Sequence, residues 1–407
     1  MKILQLCHKP PFPPVDGGCI AMNAITQGLL QVGIDVKVLA LNTFKHPLNI
    51  DALPDEYIKQ TKIETVFIDT QIKFASAFFN LFSNDSYNVK RFFSKEFEKK
   101  ITEVLKADKY DIVHLESLFV TPYLNIIREN SHAKIILRAH NAEFEIWEKI
   151  GEREQNFFKK KYLKLLAARM RNYEIKLLNK YDGIAAISDD DAEKFRNLGC
   201  KIAIESIPLG INISEYDFFV NPKSDPLSSR GRNPKLFFLA SMDWLPNCDG
   251  LEWFLKNVWK NISAKNPQLK FYVGGKAMPD KFLRMKIPNV EIVGQIPDAK
   301  FFFLENDIMI VPLFSGSGIR VKIIEAMALK KVVISTTIGA KGINCEHKKN
   351  ILIADSPTEF SEMISLIVSD SSLRKTISEN AGKFVEENYD NRIITKKLIS
   401  FYKKLIA

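Results

Sequence analysis

Cysteine is scarce in this 407-residue chain and poorly placed for chemistry. The five cysteines (Cys7, Cys19, Cys200, Cys248 and Cys345) are odd in number, widely scattered and never arranged as CxxC. Neither a zinc site nor a disulfide framework is indicated, and buried, reduced thiols are expected. Glycine and proline, at 18 residues each, are too few for a fibrous or low-complexity chain. No internal repeat, homopolymer or Ser/Pro-rich tract interrupts the sequence. Long apolar runs are missing as well, since no stretch approaches the ~20 residues that span a bilayer. The opening "MKILQLCHKPPFPP" breaks its short apolar run with prolines, so it reads as a strand and its loop, not a signal peptide. These absences together predict a cytoplasmic protein.

What is present describes a soluble globular chain: 46% hydrophobic and 26% charged residues. The length predicts two or three domains, because one hydrophobic core stops growing well below this size. A formal net charge of +10 favours anionic partners: nucleotides, phosphates, anionic lipid or nucleic acid. No nucleic-acid motif is visible, and the aromatics of "FASAFFNLF" are clustered, not interleaved with charge, so nucleic acid is not expected.

Short apolar runs alternate with longer amphipathic patterns almost throughout. "KILQLC", "DVKVLAL", "ETVFI", "DIVHLE", "KIILRA" and "GIAAIS" read as strands, and "AMNAITQGLLQVG" between them as a helix ended by Gly33. Such alternation predicts a parallel sheet with helices on both faces. The pattern pauses near "ESIPLGINISEY", and "NPKSDPLSSRGRNPK" (221–235) has the composition of a boundary or exposed loop. A second series then runs through "LFFLAS", "LKFYVGG", "VEIVGQ", "IMIVPLF", "KVVIST" and "NILIA". The expectation is two doubly wound α/β domains, residues 1–207 and 208–388. A basic amphipathic helix within 389–407 either closes the second domain or crosses back onto the first.

Ligands of open α/β sheets sit beyond the carboxyl ends of the strands, which directs attention to four junctions. In "KPPFPPVDGG", Asp16, Gly17 and Gly18 stand just before a helix. Backbone N–H groups there suit an anion, and a plain Pro/Gly loop with Asp16 as a cap is the equal alternative. In "LRAHNAEFEIW", His140 and Asn141 follow a strand, with Glu143 just beyond. His140 serves either as a hydrogen-bond or acid/base group or as a structural histidine. The upstream "VHLES" puts His114 and Glu116 on one face. The third junction, "SMDWLPNCDG", contains no Arg or Lys, so cations for any diphosphate must come from elsewhere.

The fourth junction, "SGSGIRVKIIEAMALKKVVIST", begins a GxG at Gly316 and Gly318. Val321 occupies the next glycine position, so this is not a dinucleotide fingerprint, and GK[ST] is missing too. A glycine loop at a helix N-terminus favours a phosphate, and Arg320 and Lys322 add positive charge there. Glu325 is suited to a diol. The alternative is a solvated helix face with Lys322 and Glu325 paired at i,i+3. By contrast, "SDDDAEKF" reads as a capping box from Ser188 to Asp191, not a metal site. "FFKKKYLKLLAARMRNYEIKLLNK" reads as a solvated helix face, with a membrane-surface patch as the sharper alternative.

The stretch "GSGIRVKIIEAMALKKVVISTTIGAKGI" resembles the donor-site motif of family-4 glycosyltransferases. "PPVDGG", "RAHNAEFEIW", "YDGIAAISDDD", "IPLGIN" and "SMDWLPN" extend that resemblance over nearly the whole chain. It implies the GT-B fold, two Rossmann-like domains facing a cleft, and a retaining hexosyl- or N-acetylhexosaminyl-transferase without an obligate metal or cofactor. The donor implied is a UDP- or GDP-sugar. The acceptor implied is a glycan or lipid-linked saccharide, with peripheral contact to anionic membrane. By the same resemblance Glu325 lies on the donor ribose, His140 beside the sugar, and Gly17 and Gly18 near the phosphates or acceptor. Asp16, Glu116, Asn141 and Glu143 are the acceptor-side candidates. The sequence departs from the family at Ser317, where the common motif has a glutamate, so sugar contacts pass to the loop N–H groups of Gly316, Ser317 and Gly318. The usual Arg and Lys near the start of the second domain also have no match, so Arg320 and Lys322 are expected to supply the diphosphate's counter-charge. A sugar-nucleotide epimerase of the same architecture and a non-enzymatic membrane-surface binder remain as alternatives.

Overall fold

The apolar runs of the first part of the chain become seven parallel strands in one sheet, ordered β3-β2-β1-β4-β5-β6-β7. They are β1 Lys2–Cys7, β2 Asp35–Asn42, β3 Glu64–Phe67, β4 Ile112–Glu116, β5 Lys134–Ala139, β6 Gly183–Ala186 and β7 Ala203–Ser206. The computed structural model describes residues 1–71, 86–217, 233–316 and 318–407. The "FASAFFNLF" cluster, most of the 221–235 stretch and Ser317 lie outside the described residues.

Six strands form a second parallel sheet in the order β10-β9-β8-β11-β12-β13. These are β8 Leu236–Leu239, β9 Phe271–Gly274, β10 Val290–Gly294, β11 Ile308–Val311, β12 Val332–Ser335 and β13 Leu352–Ile353. By contacts the chain forms two compact units: Met1–Gly210 with Asn391–Ala407, and Ile211–Asp390. Each sheet carries a hydrophobic cluster on either face, which is why its central strands are apolar at consecutive positions and do not alternate. The sequence pattern anticipates every strand except β7. That strand's four residues are half-exposed at the sheet edge and so carry no continuous apolar run.

The helices that position the site are few. In the first unit, α1 (Gly17–Gln31) follows β1, α2 (Glu143–Arg153) follows β5, and α3 (Phe157–Leu177) packs on α2. Next comes α4 (Asp189–Asn197), where the Ser188 hydroxyl accepts from the Asp191 N–H, the capping geometry read from the sequence. In the second unit, α5 (Leu245–Phe254) follows β8 and α6 (Val321–Ala328) follows β11.

The last helix, α7 (Asn391–Ile406), buries Ile394, Leu398, Phe401 and Tyr402 in the cluster that α1 and β1 also enter. It approaches α1 so closely that a Cβ on Gly28 would lie 2.0 Å from the Thr395 hydroxyl. Of the cysteines, Cys7, Cys19 and Cys248 are buried, whereas Cys200 and Cys345 are half-buried, a correction to the expectation of uniformly buried thiols; all five are free.

Candidate active site

Strand order reverses between β1 and β4 in the first sheet and between β8 and β11 in the second. Crevices for ligands open at such points, beyond the carboxyl ends of the strands. Residues singled out from the sequence fall at both.

In the first unit the register sets Glu116 of β4 opposite Cys7 of β1 and Arg138 of β5. Its side chain is fully buried. His140 Nε2 lies 2.9 Å from Glu116 Oε2 and His114 Nε2 lies 3.2 Å from Oε1. Gln5 donates to Oε1 at 2.8 Å. Burial works to raise the Glu116 carboxyl, but His114 and His140 hold it well below the usual carboxylate range. Burial pulls the His140 ring down, so the ring is neutral and donates to Glu116 through Nε2. That leaves Nδ1 as an acceptor, a tautomer fixed by the buried carboxylate.

Glu116 was expected on the acceptor side. It has no exposed surface, and its carboxylate meets the His140 ring. Three members of this network gave no sequence signal. Arg138 donates to the carbonyls of Ala185, Ala186, Ile207 and Pro208, and burial draws it down to about 10. Tyr402 of α7 lies 2.5 Å from His114 Nδ1 through its hydroxyl. Gln5 reads in the sequence as one polar residue inside a strand. Such partners are brought together by register and helix docking, not by local spacing.

The glycine loop after β1 is arranged differently from its sequence reading. Gly17 and Gly18 form the first turn of α1; they do not precede it. Asp16 is the N-cap and accepts from the Cys19 N–H at 2.9 Å. Lys9 donates to both its oxygens at 2.7 Å, and His46 Nε2 lies 3.0 Å away. Although burial opposes its charge, His46 and Lys9 hold the Asp16 carboxyl well below its ordinary range. The anion favoured at this helix end is thus supplied by the chain itself.

Glu143 is the first residue of α2 and is buried, and that burial pushes its carboxyl up to about 7, against a hydrogen bond from Asn141. No side chain of the local sequence caps α2. Glu174 of α3 does so from across the helix pair, accepting from the N–H groups of Glu143 at 3.2 Å and Phe144 at 2.8 Å. Burial pushes Glu174 up to about 8.

In the second unit, the loop after β11 returns to the loop after β8. Gly316 and Gly318 take φ of +130° and +76°, values that side-chain-bearing residues rarely adopt. The Arg320 guanidinium lies over the Trp244 ring, 4.9 Å from its centroid, and donates to the Gly318 carbonyl at 2.9 Å. A Cβ on Gly316 would fall 2.5 Å from both Arg320 and Trp244, so only glycine leaves this stack intact. Burial lowers Arg320 to about 10, leaving it charged at neutral pH. The cation missing from "SMDWLPNCDG" therefore arrives at that junction from the next loop.

Arg320 is also the N-cap of α6 and Trp244 that of α5; neither end has a side-chain cap among the described residues. Two helix N-termini and a guanidinium thus converge at one switch point, a setting that favours an anion. Lys322 does not join them. It pairs with Glu325 Oε2 at 2.9 Å, the i,i+3 geometry held as the alternative reading. Glu325 Oε1 accepts from the Tyr216 hydroxyl at 3.2 Å. Ser317 lies outside the described residues, and among those described no cluster of His, Cys, Asp or Glu is arranged for a metal.

Known proteins bear on both units. The family "Glycosyltransferase Family 4" matches residues 20–215 and "Glycosyl transferases group 1" matches residues 233–370. An uncharacterised 44.6 kDa protein of the cps region of Klebsiella pneumoniae is 25% identical over 402 residues, covering 96% of this chain and 97% of its own length. The N,N'-diacetylbacillosaminyl-diphospho-undecaprenol alpha-1,3-N-acetylgalactosaminyltransferase of Campylobacter jejuni is 24% identical over 235 residues, 54% of this chain and 60% of that protein. In fold, the Anabaena protein HepE, solved in complex with UDP, superposes with a TM-score of 0.68 at 15% identity, covering 99% of this chain and all of that one. With its two Rossmann-like units, each built on a parallel sheet whose strand order reverses once, this chain belongs to the family-4 glycosyltransferases of the GT-B fold.

Proposed function

We propose that this enzyme transfers a hexosyl or N-acetylhexosaminyl group from a UDP- or GDP-sugar, with retention of configuration, to a glycan or lipid-linked acceptor. The observation that carries the reading is the Arg320–Trp244 stack at two helix ends of the second sheet's switch point that no described side chain caps. The N–H groups of the glycine loop hold the donor diphosphate there, and Arg320 faces its charge. As the sugar–phosphate bond breaks, negative charge builds on the leaving diphosphate, so a fixed cation stabilises the transition state more than the ground state. Glu325 accepts from the ribose diol, with Tyr216 and Lys322 holding its orientation. In the first unit His140 offers Nδ1 to a sugar hydroxyl while Glu116 holds the ring.

The acceptor class rests on the Campylobacter relative, whose name specifies a diphospho-undecaprenol substrate. Peripheral membrane contact is the matching expectation. Phe157 and Phe158 stand 62% and 80% exposed at the start of α3, directly before Lys159, Lys160 and Lys161. Among the described residues no helix is long and apolar enough to cross a membrane. An epimerase would need an accessible acid or base, and the buried position of Glu116 argues against that use.

A panel of UDP-, GDP- and ADP-sugars tests the reading. The bound donor raises the melting temperature by linkage, and proton NMR of the product formed with a diphospholipid-linked saccharide shows an α-linkage from an α-donor. An inverted linkage would refute the retaining step. An epimerised nucleotide sugar formed without acceptor would refute transfer.

A further inference from the structure

A cavity of ≈ 720 Å³ opens in the first unit, lined by segments that leave the carboxyl ends of three adjacent strands. His8 and Lys9 follow β1, the Thr43–His46 segment follows β2, and Thr70 follows β3. Arg91 closes the lining from the far side. The volume lies within the range of roughly 300–1,000 Å³ typical of small-molecule sites.

Its charge is one-sided among the described residues. Lys9, Lys45 and Arg91 line it, and no described Asp or Glu does. Lys9 is already answered by Asp16, which takes both of its hydrogen bonds at 2.7 Å. Lys45 and Arg91 have no carboxylate partner among the described residues. Arg91 is half-buried; among the described residues it donates to the Thr70 carbonyl at 3.4 Å, and its buried Nε has no acceptor there. A guanidinium carries five donors, and leaving the buried Nε–H unmet costs free energy that an incoming oxyanion recovers. Burial lowers the Arg91 pKa.

The cavity also has an apolar wall. Phe44 is 60% exposed and is held edge-on by Phe67 at 4.9 Å, which leaves ring surface for the C–H face of a sugar. At its inner end His8 Nδ1 lies 2.9 Å from the Glu116 backbone oxygen, so the cavity borders the residue that orients His140.

We propose that this cavity is the acceptor subsite and is built for an acceptor bearing an oxyanion, which Arg91 and Lys45 hold while Phe44 covers the adjoining sugar. The proposal rests on the transferase reading and narrows its acceptor to an anionic one. Two sources supply the same chemistry: the diphosphate of a lipid-linked saccharide and the carboxylate of an acidic glycan.

Calorimetric titration of the full chain separates them, with geranyl diphosphate, methyl β-D-glucuronoside and uncharged methyl β-D-glucoside as probes, and UDP run in parallel. At least one charged probe is expected to bind, and the uncharged glucoside at least about tenfold more weakly. Arg91→Gln and the exposed Lys45→Gln should each weaken the charged probe by about tenfold, the scale of a charge-assisted hydrogen bond, and leave UDP binding unchanged. Geranyl diphosphate binding identifies the lipid diphosphate, and glucuronoside binding the acidic glycan.

The proposal is overturned if neither charged probe binds at millimolar concentration, if the glucoside binds equally well, or if both substitutions are silent. It is also overturned if Arg320→Gln abolishes charged-probe binding together with UDP binding, since the probe would then be reading the donor loop. Failure of UDP to bind the unaltered chain counts against the donor assignment alone, so the two readings fail separately.

Discussion

The two sheets end in switch points of the same topology and opposite construction. In the first unit the crevice holds a buried network in which His114, His140 and Gln5 surround Glu116, with Arg138 on the neighbouring strand, and the nearby helix end is capped by Asp16. In the second it is a glycine loop with a stacked guanidinium and helix ends that no described side chain caps. A carboxylate and a helix end met by the chain's own side chains position a group; helix N-termini that no described side chain caps suit an anionic ligand.

The largest effect that distinguishes them is on stability. Glu116→Ala removes the anion that two histidines and Arg138 surround, and breaking such a buried ionic network costs roughly 3–5 kcal/mol. Urea denaturation should show that loss, and a change under about 1 kcal/mol would mean the network is not structural. Arg320→Gln should behave in the opposite way. Its stability should change little, while turnover falls about 10²–10³-fold, the scale of removing one preorganised charge stabiliser. Steady-state kinetics on the folded variant check this, and equal losses of stability and turnover would erase the contrast.

A smaller effect belongs to the cap that joins α2 and α3. Glu174 is pushed up to about 8 by burial, from an ordinary 4.5, with Glu143 and Glu145 adding repulsion. The folded state therefore keeps a proton that the unfolded state releases. This contribution is complete below the unfolded value and is lost as pH rises through about 8, with a slope of at most about 1.4 kcal/mol per pH unit. Denaturation midpoints measured across that window should fall more steeply for the unaltered chain than for Glu174→Gln; parallel curves would rule the cap out as the titrating group. The smallest effect is that of Lys322→Ala. An i,i+3 pair on a helix contributes about 0.2–0.5 kcal/mol; here a partly exposed Lys322 meets a mostly buried Glu325 that Tyr216 still holds, so donor affinity should change less than about threefold. A loss comparable to that of Arg320→Gln would return Lys322 to the diphosphate.

The same contrast explains what could be read from the sequence. The donor loop is local: Gly316, Gly318, Arg320 and Glu325 fall within one loop and one helix, so spacing alone exposes them. That Arg320 stacks on Trp244, 76 positions earlier in the numbering (320 − 244), is invisible to spacing. The strands were legible because both sheets are covered on both faces, and β7 escaped because an edge strand lacks that signature. The first unit's network was half-legible. His114 and Glu116 share one strand face, but Arg138, Gln5 and Tyr402 join them through strand register and the docking of α7. Glu174 hid as the acid in a lysine-rich helix because its cap is made across a helix pair. The loop at Asp16 misled for a physical reason: an aspartate before two glycines marks an anion site and a self-capped helix equally well.

The central claim, that the second unit's glycine loop and Arg320 hold the donor diphosphate, is tested most directly by titrating UDP into the unaltered chain and into Arg320→Gln. The account predicts saturable binding that weakens about tenfold or more on substitution, the scale of a charge-assisted hydrogen bond, with an unchanged melting temperature for the free protein. Undiminished UDP affinity in a folded Arg320→Gln variant would contradict it.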